Sequence, residues 1–502
     1  MAKKFSRRQL LGFTAAVVGG ITALAKGAEA GATADPQADQ SSAGSPPPAP
    51  ERPYWEQSYS GGPVDVTALP PGHPVKDYRP VVVPAGYTLP WKIIHGVKVF
   101  HLIAEEVDHA FDTGLWARCW AYNGHVNSTV IEAVEGERVR LYVTNRLSVA
   151  TSVHWHGIYL PNGMDGVGGL TQPYIKPGET AKYEFTLRQH GTFMFHSHHD
   201  EMTQMGLGLI GMFVIHPRHP APHYQVERDF AIILSEWDIP VGTARPNTLE
   251  MTDFNILTMN GKVFPSTGPL VCKTGDKVRI RLGNLGAMDH HPIHIHGYHF
   301  RVTATDGEEI PLSAQWPETT VLVGVGQTRT IEFIADAPGD WAFHCHMTHH
   351  VMNQMGHEFP NMVGVNASDV DERVRPLLPG YMTMGHAGMD MGRMAEVMPM
   401  PANSIPMKGA VGPFGDYISM GGMFTIIKVR DRLQSYDKDP GWYQHPRGSV
   451  ALTASAAELA RDGIDVRAAT PKAIRSVPNG SAPHGGSRGQ SASTPRPGHT
   501  HR

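Results

Sequence analysis

The chain has 502 residues, enough for two or three domains with cores of their own. Charged residues make up only 18% while Gly numbers 54 and Pro 41, which sets aside a helical bundle and favours a strand-rich, loop-rich protein. A formal charge of −4 offers no basic footprint for nucleic acid.

The N-terminus carries Ser6-Arg7-Arg8-Gln9-Leu10-Leu11, a twin-arginine pattern, followed by the weakly apolar run Gly12 to Ala25 and a small-residue cleavage site at Ala28-Glu29-Ala30. Residues 1–30 are therefore expected to be a signal peptide, and the mature protein periplasmic or secreted. The run is short and Gly-rich for a spanning helix, and no other segment is long and apolar enough to cross a bilayer. Residues 31–90 read as linker and N-terminal arm, because 31–75 are dominated by Pro, Ala, Gly and Ser.

From Trp91 the pattern becomes that of strands. Val139, Leu141 and Val143 alternate with Arg138, Arg140, Tyr142 and Thr144, the period of a half-buried strand. The sequence then repeats itself. Asn123-Gly124, EGERVRLYVTN (135–145) and HWHG (154–157) return as Asn260-Gly261, TGDKVRIRLGN (274–284) and HIHG (294–297). HGTFMFHSHH (190–199) returns as PGDWAFHCHM (338–347), with Ser197 in the first copy where the second has Cys345. Such a repeat predicts an all-β protein of two Greek-key β-sandwich domains, 91–222 and 223–366. Residues 367–409 form a Met-rich segment, with eight Met between 380 and 407. One more strand is expected within 410–432, packing on a sandwich, and 433–502 reads as a largely disordered tail.

Four His-x-His pairs stand out: His154/His156, His196/His198, His294/His296 and His344/His346. Residues i and i+2 of a strand face the same side and the residue between them faces the other. In His344-Cys345-His346 both imidazoles can address one metal site while the thiol addresses a second. Eight paired imidazoles exceed the needs of one ion and suit several. Cys345, His291, His350 and Met355 remain, and two His, one Cys and a weak Met form the ligand set of a blue-copper electron-transfer site. Zinc is the rival metal, but zinc prefers hydrolytic or structural constellations and has no redox role.

The motifs HWHG, HSH, HPIHIH and HCHMTHHVMNQM resemble, in order, the four copper-binding motifs of multicopper oxidases, the laccase-like family. The resemblance implies cupredoxin-like domains and four copper ions per chain. Type 1 copper would sit on His291, Cys345, His350 and Met355, and type 2 copper on His154 and His294. The type 3 pair would sit on His156, His196, His198, His296, His344 and His346. It further implies that dioxygen is reduced to water with electrons from a small donor, phenolic, aromatic amine or Cu(I), entering through Cys345. Asp165 matches an acidic residue that the family keeps near its cluster for proton delivery; an Asp in a Gly-rich turn is the plain alternative. With two domains instead of three, the chain is similar to the two-domain bacterial small laccases, whose clusters lie between subunits of a homotrimer. Met382, Met384, Met389 and Met391, with His386, are candidate accessory Cu(I) ligands, against the alternative of an apolar lid. Two other functions remain in view. One is a copper-binding, copper-tolerance protein; the other is a copper nitrite reductase, which needs a Cys where Ser197 stands.

Overall fold

The computed structural model describes residues 67–240, 243–252, 254–351, 376–377, 410–416, 418 and 420–468. The signal-peptide expectation, residues 31–66 of the linker and arm, Met355 and all of the Met-rich segment 367–409 except residues 376–377 lie outside them.

The strand Arg138–Asn145 alternates half-buried and buried residues along its length, because Val139, Leu141 and Val143 enter the core of the first sandwich while their neighbours face water. It lies between Val97–Asp112 and Thr180–Thr186 in a sheet that also holds Trp91–Ile94 and Leu115–Tyr122. The facing sheet has the order Tyr87–Thr88, Thr129–Val134, Ile210–His216, Gly191–Ser197, Val153–His156. Trp155, Phe195 and Phe213 from this sheet meet Leu141, Tyr183 and Phe185 from the other, closing a core about ten ångströms thick.

The second sandwich repeats this plan. One sheet runs Ile256–Met259, Arg228–Trp237, Lys277–Asn284, Thr328–Ile334, Phe300–Thr305, Glu308–Glu309, with Trp316–Glu318 added beside Phe300–Thr305. The other runs Leu270–Lys273, Phe424–Arg430, Gly339–Cys345, His291–Ile295, Thr320–Val323. Phe424–Arg430 occupies the place that Ile210–His216 holds in the first sandwich: parallel to one neighbour and antiparallel to the strand that carries the histidines. In the first sandwich that strand follows Ser197 after one short helix, Glu201–Gly206. In the second it follows Cys345 only after segment 352–420.

Every residue of Arg228–Trp237 is buried, although its side chains still alternate. Phe230, Ile232 and Leu234 enter the second sandwich's core, while Ala231 and Ile233 pack on Val130, Met194, Met212 and Val214 of the first. Each fully buried aliphatic side chain in this seam contributes roughly 1.5–3 kcal/mol. The seam is also ionic: Arg281 pairs with Asp229 at 2.8 Å and donates to Thr192 Oγ1 of the first sandwich at 2.8 Å. The arm residue Val82 bonds the backbones of Asp229 and Ala231, so the segment before Tyr87 pins both sandwiches.

Within the tail expected to be largely disordered, residues 436–443 are anchored on the second sandwich. Lys428 Nζ meets Asp439 at 2.6 Å, Arg430 donates to the Gly441 carbonyl at 2.6 Å, and the Tyr443 N–H donates to Asp340 at 2.8 Å. Arg228 lies over the Tyr436 ring and Lys428 over Trp442. Gly and Pro here shape turns around anchoring aromatics, so composition alone misleads. Cys119 and Cys272 are buried free thiols. Among the described residues no helix is long and apolar enough to cross a membrane.

Candidate metal centres

His291 opens the strand His291–Ile295, Cys345 closes the antiparallel strand beside it, and His350 lies in the single 3-10 turn Thr348–Val351 that follows. All three are fully buried. Cys345 Sγ is 3.3 Å from His350 Nδ1 and 3.9 Å from His291 Nδ1, and the two Nδ1 atoms are 3.1 Å apart. Three soft-to-borderline donors at this spacing can hold one ion. Burial pushes the bare Cys345 thiol up to about 12, so a thiolate here calls for a bound cation.

Each imidazole has a carboxylate at its far nitrogen. Glu236 Oε2 is 3.3 Å from His291 Nε2, while its Oε1 accepts from the backbone N–H groups of Met288 and Asp289 at 2.6 and 3.0 Å. Asp289 Oδ2 is 3.4 Å from His350 Nε2. The hydrogen bond to Glu236 fixes the orientation and tautomer of the His291 ring, leaving its Nδ1 to face the sulfur, while Asp289 places a negative charge beside His350 without a hydrogen bond. Neither acid was singled out from sequence. The available signal is a Glu near the end of the run Phe230–Trp237, whose only other polar residue is Ser235, and an Asp two residues before His291.

The paired histidines form two quartets, one per sandwich. His154 lies opposite His196 across neighbouring strands, and His294 opposite His344 in the same way. Ring centroids within the first quartet are 5.4–6.0 Å apart, and within the second 4.9–5.7 Å. His196 Nδ1 donates to the carbonyl of Ser197 and His344 Nδ1 to that of Cys345, at 2.8 and 2.7 Å. His154 Nδ1 and His294 Nδ1 do the same to Asp165 and Thr319, at 2.8 and 2.7 Å. In all four rings the bond leaves Nε2 as the free lone pair. Burial pushes His196 down to about 3 and His344 to about 4, so both are neutral and able to bind metal. His296 Nε2 reaches His344 Nε2 at 3.1 Å, and His156 offers Nδ1 to His196 Nε2 at 3.5 Å. Two rings stand apart from this pattern. His198 Nε2 lies 3.0 Å from Glu201 Oε1, and His346 is held through its main chain, whose N–H donates to the Pro292 carbonyl at 2.6 Å. The Asp165 carboxylate is 3.5 Å from His154 Nδ1, which puts an acid at the edge of the first quartet.

Within the chain, the second sandwich brings the Asp306 carboxylate and the backbone of Gly326 toward His156. Among the described residues no ring contact links the quartet of the first sandwich to that of the second.

Two family models, both described as multicopper oxidase, match residues 104–220 and 240–364, the bodies of the two sandwiches. The chain belongs to the multicopper oxidase family. This multicopper oxidase is 28% identical over 360 residues to copper resistance protein A of Escherichia coli, covering 59% of the present chain and 58% of that protein. It is 36% identical to laccase-1 of Botryotinia fuckeliana over 43% of the chain and 39% of that laccase. It thus spans about half the length of the curated relatives it matches. The blue copper oxidase from Nitrosomonas europaea is a structural neighbour at 25% identity and a TM-score of 0.48, covering 66% of this chain and 85% of that one.

Proposed function

We propose that this multicopper oxidase takes single electrons from phenolic or aromatic amine donors, and from Cu(I), and delivers four of them to one dioxygen, with four protons, to give two waters. The reading rests on one observation: Cys345 turns its sulfur to His291 and His350, while the histidines on either side of it, His344 and His346, belong to the second quartet. Copper, when bound, supplies the one-electron chemistry at the Cys–His group and the reduction of dioxygen at the histidine cluster. His291, Cys345 and His350, with Met355, would hold type 1 copper. His154 and His294 would hold type 2 copper, and His156, His196, His198, His296, His344 and His346 the type 3 pair, four ions in all. The residues themselves do the positioning. Glu236 holds the His291 imidazole, Asp289 sets a negative charge beside that of His350, the carbonyls of Asp165, Ser197, Thr319 and Cys345 set four cluster rings, and the peptide of Cys345 gives electrons a covalent route to His344 and His346. Asp165 is placed to pass protons at the cluster edge.

The separation of the two quartets supports a cluster completed between chains, the first sandwich of one subunit facing the second of its neighbour. A cyclic homotrimer closes such head-to-tail contacts. We infer a periplasmic or secreted location reached by twin-arginine export, and accessory Cu(I) binding at Met382, Met384, Met389 and Met391. The competing reading is copper tolerance by sequestration, which the name of the Escherichia coli relative favours.

Copper content and the visible spectrum decide between them. Four coppers per chain, with an intense thiolate-to-copper band that bleaches under reductant and returns in air, are expected. In Cys345→Ser the band and donor oxidation should vanish while cluster copper remains. A wild type that binds copper but never recolours in air would leave sequestration as the function.

A further inference from the structure

The first sandwich contains, at the place matching the Cys–His group of the second, a buried cluster without metal-ligating side chains. Thr151 stands three residues before His154, as His291 stands three before His294, and Ser197 replaces Cys345. Between them lies Gln204, 1% exposed, from the helix Glu201–Gly206. Its side-chain carbonyl accepts from both hydroxyls, Thr151 Oγ1 at 2.7 Å and Ser197 Oγ, and its amide donates to the Ala150 carbonyl at 2.8 Å. The two hydroxyls are themselves 3.3 Å apart. Each polar side-chain atom of Thr151, Ser197 and Gln204 thus has a hydrogen-bond partner inside the cluster or on the adjoining backbone.

We propose that Gln204 is a positioning residue for the copper cluster, fixing the loop His196-Ser197-His198 as a metal ion would fix His344-Cys345-His346. The proposal rests on the multicopper oxidase reading above. The parallel extends to the backbone. The Ser197 N–H donates to Leu209 just before the strand Ile210–His216, and the Cys345 N–H donates to Met423 just before Phe424–Arg430, both at 3.1 Å. In the second sandwich the side chain between the paired histidines is then held by the group that can take copper. In the first, which has Ser197 in place of a thiol at that point, Gln204 takes over that task. Leu209 closes the loop by donating back to the Gln204 carbonyl at 3.0 Å. A shift of Ser197 moves the neighbouring His196 ring, because His196 Nδ1 is anchored on the Ser197 carbonyl.

The test is copper titration of the metal-free full-length protein, comparing wild type with Gln204→Met and with Thr151→Val. Type 1 filling is read from the thiolate band and cluster filling from total copper and the type 2 electron paramagnetic resonance signal. Loss of a residue that orients metal ligands costs about 10–100-fold in metal affinity. Gln204→Met should therefore need that much more free copper to fill the cluster while its type 1 band fills as in wild type. Thr151→Val, which keeps the Ser197–Gln204 bond, should show a smaller change in the same direction and decides the matter if Gln204→Met does not fold. Variants that melt earlier yet fill the cluster at wild-type copper concentrations would overturn the proposal and leave the functional reading standing. A wild type that never fills a cluster would overturn both.

Discussion

Gly421 donates a backbone hydrogen bond of 2.7 Å to Val351, and two residues later Met423 donates to the His350 carbonyl at 3.2 Å. The chain before residue 352 and the chain after residue 420 are therefore tied together beside His350. Replacing residues 380–407 with a short Gly-Ser linker should leave the thiolate-to-copper band and phenol oxidation unchanged and lower Cu(I) oxidation by at least about tenfold, the effect of losing ligands from a metal-delivery route. Equal loss of both activities would make the segment structural.

Glu236 is buried beside His291 with both oxygens engaged. Its negative charge favours the more positive state of a metal held on the other ring nitrogen. Glu236→Gln removes that charge at nearly constant shape, so the type 1 potential should rise by roughly 60 mV, the one-electron equivalent of a tenfold change in relative affinity. Redox titration in the visible reads this directly; a fall in potential would contradict the sign of the argument.

A cluster shared between chains has a genetic signature. His156→Ala disables the first quartet and His296→Ala the second, and each variant alone should be inactive. When the two are unfolded and refolded together, or co-expressed, some interfaces combine an intact first sandwich with an intact second one. Oxidase activity should then return to a sizeable fraction of wild type. If mixing restores nothing, the cluster is assembled within one chain.

His190 joins the sandwiches by charge. Its Nδ1 is 3.4 Å from Glu135 of the first and its Nε2 3.9 Å from Glu309 of the second, and these acids raise it to about 10. The ordinary value in an unfolded chain is about 6.5. The raised value means that this contribution to stability is complete below pH 6.5 and is lost as pH climbs through about 10. The group is about one-third exposed, so the contribution is discounted for screening to about 1 kcal/mol. Denaturant midpoints should fall between pH 6.5 and 10 in wild type and fall less in His190→Gln. Parallel curves for the two proteins would remove His190 from the account.

Much of this arrangement was legible because it is written in side-chain period and residue type. Arg138–Asn145 has one wet face, so its alternation shows in the sequence, and each His-x-His pair sits on a strand or across its C-terminal end. Arg228–Trp237 has two dry faces, and a strand buried on both sides loses the polar alternation that would announce it. Glu236 and Gln204 escaped for a different reason. One supports a ligand and the other supports the loop that bears two ligands, and no local pattern marks a residue whose partners arrive from distant strands. The strand at 424–430 was readable as a strand, but not its central position, since pairing partners are chosen by the whole sandwich.

That central position governs the order in which the protein can be built. The first sandwich has every strand in hand once residue 216 has been made. The second must hold Leu270–Lys273 and Gly339–Cys345 apart, with unpaired edges, until residues 424–430 emerge from synthesis. Open edges of that kind invite pairing with other chains. A ribosome that stalls after the Met-rich segment releases a half-finished sheet with its copper pocket still unroofed, and the nascent chain is most vulnerable to aggregation during that interval.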